Sequence, residues 1–455
     1  MDWKTLLNSE RPRPSSEIVS EHRIQFERDY DRTIFSTPVR RLQDKAQVFP
    51  LEPNDAVRTR LTHSLEVSTV SRGISRAVSI WLLNEKHIEP DMDRQIEAIA
   101  ATCGLIHDLG NPPFGHSGED AIREWFKEQS KGELKDFFEN NIGLGNDFLN
   151  FDGNAQTLRL LTKLQVLADF NGLNLTFGTL SAACKYIASS EMLNHNDYHE
   201  YSKLGYFSSE RAIIKRIIDN TGIINCRNPI SFLVEASDDI VYSIVDIEDG
   251  IKKGILNWEQ FESELKKRIP NEDQSALNKA LETAQKIINS GNHVVENVTS
   301  EIHASSFRTA YISVLVRSVV EEFKQQYCSI MAGEYHRELV KECSARNLLK
   351  ACKDIGREII YCSSETLELE LMGRRIIKDL LNLFWEGAKH YEGSFLRTNT
   401  FEGKTIALMS DNYKMVFRNN SDMNIKYRQL QLVTDHVCGM TDTFSCDLHR
   451  KLFNG

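Results

Sequence analysis

An imidazole and a carboxylate stand side by side at His107-Asp108, within Cys103-Gly104-Leu105-Ile106-His107-Asp108-Leu109-Gly110-Asn111-Pro112-Pro113-Phe114-Gly115-His116-Ser117-Gly118-Glu119. Both side chains ligate divalent metals of intermediate hardness. Ile96, Ile99, Ala100, Cys103, Leu105 and Ile106 lead into them and predict an apolar helix that stops at Gly110, glycine being the usual residue just past a helix end. A His-Asp dipeptide alone is common, and three further pieces give this one weight. Upstream, in Arg58-Thr59-Arg60-Leu61-Thr62-His63, the histidine opens a helical pattern (Leu61, Leu65, Val70, Ile74) and offers a second imidazole. Arg58 and Arg60 put fixed positive charge beside it, which suits a phosphate-rich substrate. Downstream, Asp238, Tyr242 and Asp246 are spaced four apart and form a polar column on one helix face. Finally, His116 and Glu119 lie three apart at a predicted helix start and form a pair able to handle protons. Ser117, a good N-cap residue, leaves open the plainer reading that His116 only caps that helix.

The elements that must position these groups are helical. Helical periodicity runs through Ala98 to Leu109, Asn154 to Leu167, Ser209 to Ile218 and Ile230 to Ile251. It continues through Phe261 to Ile288, Ile312 to Tyr327 and Leu367 to Trp385. Strand signal amounts to a short hairpin or two. The fold class is therefore mostly α-helical. Residues 1–35 read as an irregular N-terminal arm, 36–250 as the core holding every candidate metal ligand, and 251–455 as a helical C-terminal region that completes the pocket and offers oligomer interfaces. A Gly- and Asn-rich polar insertion occupies 128–153.

Composition excludes several classes. The chain has 455 residues, 41% hydrophobic and 26% charged, enough for a large soluble core. No apolar run has the length of a membrane span, and the N-terminus lacks a signal core. Nine scattered cysteines point to reduced thiols and a cytoplasmic location. A net charge of −10 argues against a nucleic-acid coat protein. Asn194-His195-Asn196-Asp197-Tyr198-His199 reads as an exposed polar turn. His436, Cys438, Cys446 and His449 fit no zinc-finger spacing, and Asp435 to Lys451 reads as one packed helix.

With His63, His107-Asp108 and Asp238 in the order His…His-Asp…Asp, the chain resembles the HD-domain phosphohydrolases. Within them it is similar to the bacterial deoxyguanosine triphosphate triphosphohydrolases (dGTPases, or dNTP triphosphohydrolases). Leu42 to Leu51, Arg58 to Val67, His107 to Glu119, Gly153 to Thr157, Lys203 to Tyr206 and Asp238 to Asp249 all read as family blocks in family order, with a weaker echo in Cys438-Gly439-Met440-Thr441-Asp442.

The resemblance implies an HD-type helical core whose metal ligands are His63, His107, Asp108 and Asp238. Neighbouring Asp239 is the alternative to the last; Asp238 is preferred because it shares a face with Tyr242 and Asp246. Two imidazoles and two carboxylates favour Mn²⁺, Fe²⁺, Co²⁺ or Zn²⁺, and the family admits Mg²⁺. The implied reaction is attack of water on the α-phosphorus of a deoxynucleoside triphosphate, releasing deoxynucleoside and inorganic triphosphate. The resemblance assigns proton transfer to His116, oriented by Glu119. Gln47 would then contact the sugar or base edge, Arg60 the phosphates, and Asn154, Lys203 and Tyr206 the triphosphate. Tyr242 and Asp246 would form a sugar floor that leaves no room for a 2′-hydroxyl. The Lys203-Leu204-Gly205-Tyr206 loop departs from the family in lacking a proline before its glycine. The implied partners are a dNTP, a nucleotide or single-stranded DNA effector, and other copies of the chain in a tetramer or hexamer. Rival readings are an HD phosphohydrolase acting on other nucleotides, and a nucleic-acid-binding regulator that keeps the fold.

Overall fold

The computed structural model describes all residues except 15–22, 166–168, 194–197, 291–298, 395 and 454–455. Its architecture is helical throughout, and among the described residues the only β pairings are isolated bridges, Ala46 with Thr59 and Ala188 with Leu204. Among those residues no helix is long and apolar enough to cross a membrane, and all nine cysteines are free thiols.

Two apolar cores organise the chain. One gathers the helices Arg60–Asn84, Met92–Ile106, Pro229–Lys252, Trp258–Arg268, Ser275–Asn289, Ser300–Ala332 and Arg346–Ile355. The other gathers Gly115–Gln129, Gly153–Arg159, Ser364–Ala388 and Ile425–Cys438 with the short helices between them. The Met92–Ile106 helix belongs to both: Ile96, Ile99 and Cys103 face the first core, Leu105 and Ile106 the second. Its C-terminal end, which delivers His107-Asp108, is thus the seam.

Close approach fixes that seam. The Arg60–Asn84 helix buries Ser64, Ser68, Ser71, Ser75 and Ser79, small residues that let the Met92–Ile106 helix come near. A Cβ on Gly104 would stand 2.8 Å from Ser68 Cα. The buried face is His63, Val67, Ile74 and Val78; of the expected Leu61, Leu65, Val70 and Ile74 only Ile74 is fully buried, and Leu65 is 37% exposed. Serines hid the stripe, because tight helix packing rewards small size over apolarity here.

Other sequence expectations also change. Residues 1–35 are not an irregular arm: Gln25–Ile34 is a helix with Phe26, Asp29 and Thr33 buried, and Arg11 pairs with Asp29 at 2.5 Å. The cores do not divide at residue 250, since the first one takes helices from both sides of it. The 128–153 insertion, expected as loop or short helix, takes the second form in the helices Lys135–Asn140 and Ile142–Leu149. Gly439 and Thr441 interrupt the expected Asp435–Lys451 helix, giving Ile425–Cys438 and Asp442–Phe453.

The second core is pinned by a buried ion cluster. Arg159 lies 2.6 Å from Asp435 and 3.0 Å from Glu210, all three side chains nearly inaccessible. Removing one partner leaves charge unpaired in a dry interior, at a cost of about 3–5 kcal/mol. Arg159→Ala is expected to lower the thermal unfolding midpoint markedly, measured by differential scanning fluorimetry against an exposed control such as Arg375→Ala.

Candidate metal centre and adjoining pocket

His107 and Asp108 follow the last turn of the Met92–Ile106 helix, in a turn held by Leu109 N–H donating to Ile106 O at 3.1 Å and Asn111 N–H to Asp108 O at 3.3 Å. Gly110 must be glycine, because a Cβ there would meet Gly153 O and Thr157 N at 2.2 Å. That contact joins the turn to the Gly153–Arg159 helix. His63 comes from the first turn of the Arg60–Asn84 helix, started by Thr59 as N-cap. Asp238 sits midway along Pro229–Lys252, a helix capped by Asn228 and buried on nearly every side.

Three of the expected ligands, His63, His107 and Asp108, have ligand atoms within 4.8 Å of one another. Asp238 Oδ1 lies 3.2 Å from His63 Nε2 and 3.4 Å from His107 Nε2. Asp239 turns away and pairs with Lys353 at 2.7 Å. His107 Nδ1–H donates to Gly104 O at 2.8 Å, which fixes the tautomer and leaves Nε2 as a ligand nitrogen. That Nε2 and the Nδ1 of His63 are buried without hydrogen-bond partners. Two imidazoles and two carboxylates converging with orphaned nitrogens fit a divalent cation.

Electrostatics agree with that fit. Burial opposes charge on His107, but Asp108 and Asp238 overcome it and raise its pKa to about 9. Burial likewise pushes Asp108 up, while Arg60 and His107 outweigh it and hold the carboxyl at about 2. Asp238 is held well below the usual carboxylate range, the two imidazoles outweighing its burial. Arg60 Nη1 donates to Asp108 Oδ2, and Asn111 Nδ2 donates to Asp108 Oδ1 at 2.8 Å. Arg58 does not face this centre: Glu66, Glu248 and Asp249 hold it at 2.9, 2.6 and 2.5 Å.

His116 and Glu119 stand beside the centre on the Gly115–Gln129 helix, with Arg60 close against Gly115. His116 Nδ1 is 3.2 Å from Glu119 Oε2, and Gly153 N–H donates to Glu119 Oε1 at 2.7 Å. The imidazole is 86% exposed while its carboxylate partner is buried. Their hydrogen bond raises the histidine's pKa. Burial favours the neutral form of Glu119, and His116 outweighs it to keep the carboxyl low. Ser117 is not the N-cap; that position is Phe114, and Ser117 donates to Glu370 O instead.

A narrow pocket next to these groups is lined by Asn154, Thr157, Lys185, Tyr186 and Gly205. Lys203 Nζ lies 5.7 Å and Lys185 Nζ 5.6 Å from the Tyr186 ring centre, so two ammonium groups share one aromatic wall. Lys185 and Tyr186 escaped sequence reasoning, since a lone Lys-Tyr pair looks like ordinary surface. Tyr206 is not in this pocket. Gly205 packs on the Tyr186 backbone, and Tyr206 lines an adjoining, mostly apolar cavity with Ile214, Ile217 and Met192, with Cys184 and Tyr186 common to both. Asn154 is engaged by Asp152, its backbone N–H and Nδ2 both donating to Oδ1 at 2.8 Å.

On the other side, Tyr242 and Asp246 follow Asp238 along its helix. Burial raises Tyr242 to about 12, and Lys353 Nζ lies 4.9 Å from its ring centre. Burial raises Asp246 to about 7, even though Tyr361 donates to its Oδ2 at 2.5 Å. Asp246 Oδ1 and Gln47 Oε1 are buried with no partner. Lys353 and Tyr361 lie more than a hundred residues from Asp238, and no local spacing announces them.

Two other groups carry less. Residues 194–197 of the expected polar turn lie outside the described residues. His199 is no exposed turn residue; it meets Glu235 at 2.7 Å and Glu338 at 3.2 Å. Arg227 and Lys185 already neutralise Glu235, at 2.7 and 3.5 Å. In the C-terminal group, His436 packs edge-on against Phe384 and His449 contacts Asp379 at 2.9 Å.

Comparison with known proteins agrees with this arrangement. The HD domain family matches residues 60–144, the stretch that supplies His63, His107, Asp108, His116 and Glu119. The whole chain is similar to proteins named deoxyguanosinetriphosphate triphosphohydrolase-like. It is 37% identical to one from Listeria monocytogenes, with 99% of each chain covered. It is 31% identical to one from Synechocystis, again over 99% of each, and 31% to one from Pseudomonas aeruginosa, over 99% of this chain and 98% of that one. The protein is thus an HD-domain protein, and it belongs to the dGTP triphosphohydrolase-like family.

Asp108→Ala removes a candidate ligand and the anion that anchors Arg60. Purified in excess Mn²⁺ and desalted, the variant is expected to retain less than about a tenth of the wild-type metal by elemental analysis, with an unchanged far-UV circular dichroism spectrum.

Proposed function

We propose that this protein is a metal-dependent dNTP triphosphohydrolase, with dGTP among its substrates, that controls the dNTP pool. The observation that carries the reading is the contiguity of three parts: a four-residue metal set, a carboxylate-backed histidine, and a wall with two lysines. The name of the relatives supplies the substrate class.

The ion, Mn²⁺ or Mg²⁺ with Fe²⁺, Co²⁺ or Zn²⁺ as substitutes, would be held by His63, His107, Asp108 and Asp238; it supplies charge neutralisation and an ordered water. Arg60, Lys185 and Lys203 bind the triphosphate, and Asn154 adds a polar contact. His116 donates a proton from Nε2 to the departing 5′-oxygen, since Nδ1 is committed to Glu119. Glu119 favours the charged imidazole and fixes its direction. Asp246 accepts from the 3′-hydroxyl with its partnerless Oδ1, and Gln47 reads the sugar or base edge. Tyr242, buttressed by Lys353, closes the space beside C2′. Exposed Leu371, Phe401 and Phe444 on the C-terminal helices favour assembly into a homo-oligomer.

Product analysis tests the reading. Each of the four dNTPs and GTP, incubated with enzyme and Mn²⁺, is resolved by anion-exchange chromatography. Deoxyguanosine and inorganic triphosphate in equal amounts are expected; orthophosphate or pyrophosphate as the first product sinks the proposal.

The proton donor has its own test in the pH profile. His116 must be protonated to act, so kcat falls as pH rises through its pKa. Glu119 raises that pKa, so Glu119→Gln is expected to move the alkaline limb to lower pH. His116→Ala is expected to cost about 10²–10⁴-fold in kcat with metal content kept. A limb that stays put in Glu119→Gln assigns the proton to another group.

A further inference from the structure

The weak C-terminal echo, Cys438 to Asp442, lies more than 300 residues beyond the metal motif, yet it touches the site's scaffold at every turn. Asp442 is 2% exposed. Its Oδ2 accepts from Ala46 N–H and its Oδ1 from Phe114 N–H, both at 2.9 Å. One carboxylate therefore clamps two backbone segments: the one leading to Gln47, and the loop that turns into Gly115-His116. Phe114 sits at φ +61°, a left-handed conformation costly for a bulky side chain. The bond from its N–H to Asp442 helps to hold it there.

The neighbouring contacts run in the same direction. Thr443 Oγ1 donates to Asp44 Oδ1 at 2.6 Å, and Arg41 Nη1 donates to Gly439 O at 2.9 Å. Lys45 Nζ is buried and donates to Cys438 O at 3.0 Å and Asn111 O at 2.6 Å. The 45–46 segment in turn receives Arg60: Arg60 N–H donates to Lys45 O at 2.9 Å and Arg60 Nε to Ala46 O at 3.2 Å. Arg60 and Asn111 then both bond Asp108.

We infer that Asp442 is a positioning residue of the site: its carboxylate sets the loop that aims His116 and the segment that carries Gln47 and receives Arg60. The HD-domain stretch at 60–144 is accordingly incomplete by itself, and the C-terminal helix pair finishes it. The kinetic consequence rests on the proposed phosphohydrolase reaction; the structural one does not.

The test is Asp442→Asn in the full-length chain, nearly isosteric but with one acceptor oxygen instead of two. Hydrogen–deuterium exchange is read by mass spectrometry on peptides covering 41–47, 112–116 and 229–252. Exchange at Ala46 or Phe114 is expected to rise by about 10–100-fold, the factor for losing a hydrogen bond to a charged partner, with 229–252 unchanged. Bound Mn²⁺ should stay stoichiometric while kcat falls about 10²-fold, as for a small misplacement of a reacting group, and KM stays within about threefold. Thr443→Val, at an exposed position, is the milder companion: faster exchange at 44–46 only, and a smaller loss of kcat. Unchanged exchange at both Ala46 and Phe114 overturns the inference, and so does a uniform rise across all peptides, which would mark a purely structural role. If wild-type enzyme releases no triphosphate, the proposed function falls while the exchange result still decides the clamp.

Discussion

Two carboxylates and two imidazoles share one largely buried seam, and that crowding governs the rest of the structure. Asp108 and Asp238 both repel in a low-dielectric setting, and each needs cations more than it needs water. Protein groups supply part of the balance: Arg60 at Asp108, and the charged form of His107 between the two acids. A divalent ion supplies it better, because it replaces a proton with two charges and satisfies the orphaned His107 Nε2. The helices are arranged so that the seam is where two apolar cores meet.

That arrangement explains why the site's neighbours are so heavily tied down. Glu119 is held by Gly153 N–H and His116. Gly110 is pressed against the Gly153–Arg159 helix. Arg159 bridges that helix to Asp435 of the penultimate helix, and Asp442 of the last helix returns to Phe114 and Ala46. Apart from the local Glu119–His116 pair and the steric contact at Gly110, each tie is a buried polar contact between segments far apart in sequence. Such contacts contribute little net stability, but breaking one is costly, so they specify a single geometry. The proposed reaction, with a metal, a proton donor and a phosphate clamp in register, would require that uniqueness.

The candidate site residues were legible because their types are restrictive. Imidazole and carboxylate side chains within a Gly- and Pro-punctuated block have few roles, and fourfold spacing along 238–246 puts three polar groups on one face whatever the fold. Helices were legible by period. The serine-lined face of the Arg60–Asn84 helix was not, because period analysis counts apolar residues and close packing there is made by small polar ones. The short N-terminal helices were missed for the related reason that Asp29 and Arg11 are buried as an ion pair.

The sequence by itself determined the helical class, the candidate ligand types and the candidate acid–base pair, since composition, period and side-chain chemistry are local properties. Only the tertiary structure decided direction and partnership. It turned Asp238 toward the imidazoles and Asp239 toward Lys353, took Arg58 out of the site, and added Lys185 and Tyr186 to the pocket. It also brought Tyr361 to Asp246 and Asp442 to Phe114. These outcomes depend on how two cores dock across one shared helix. A hydrogen bond between residues hundreds apart leaves no periodicity for a linear reading to find.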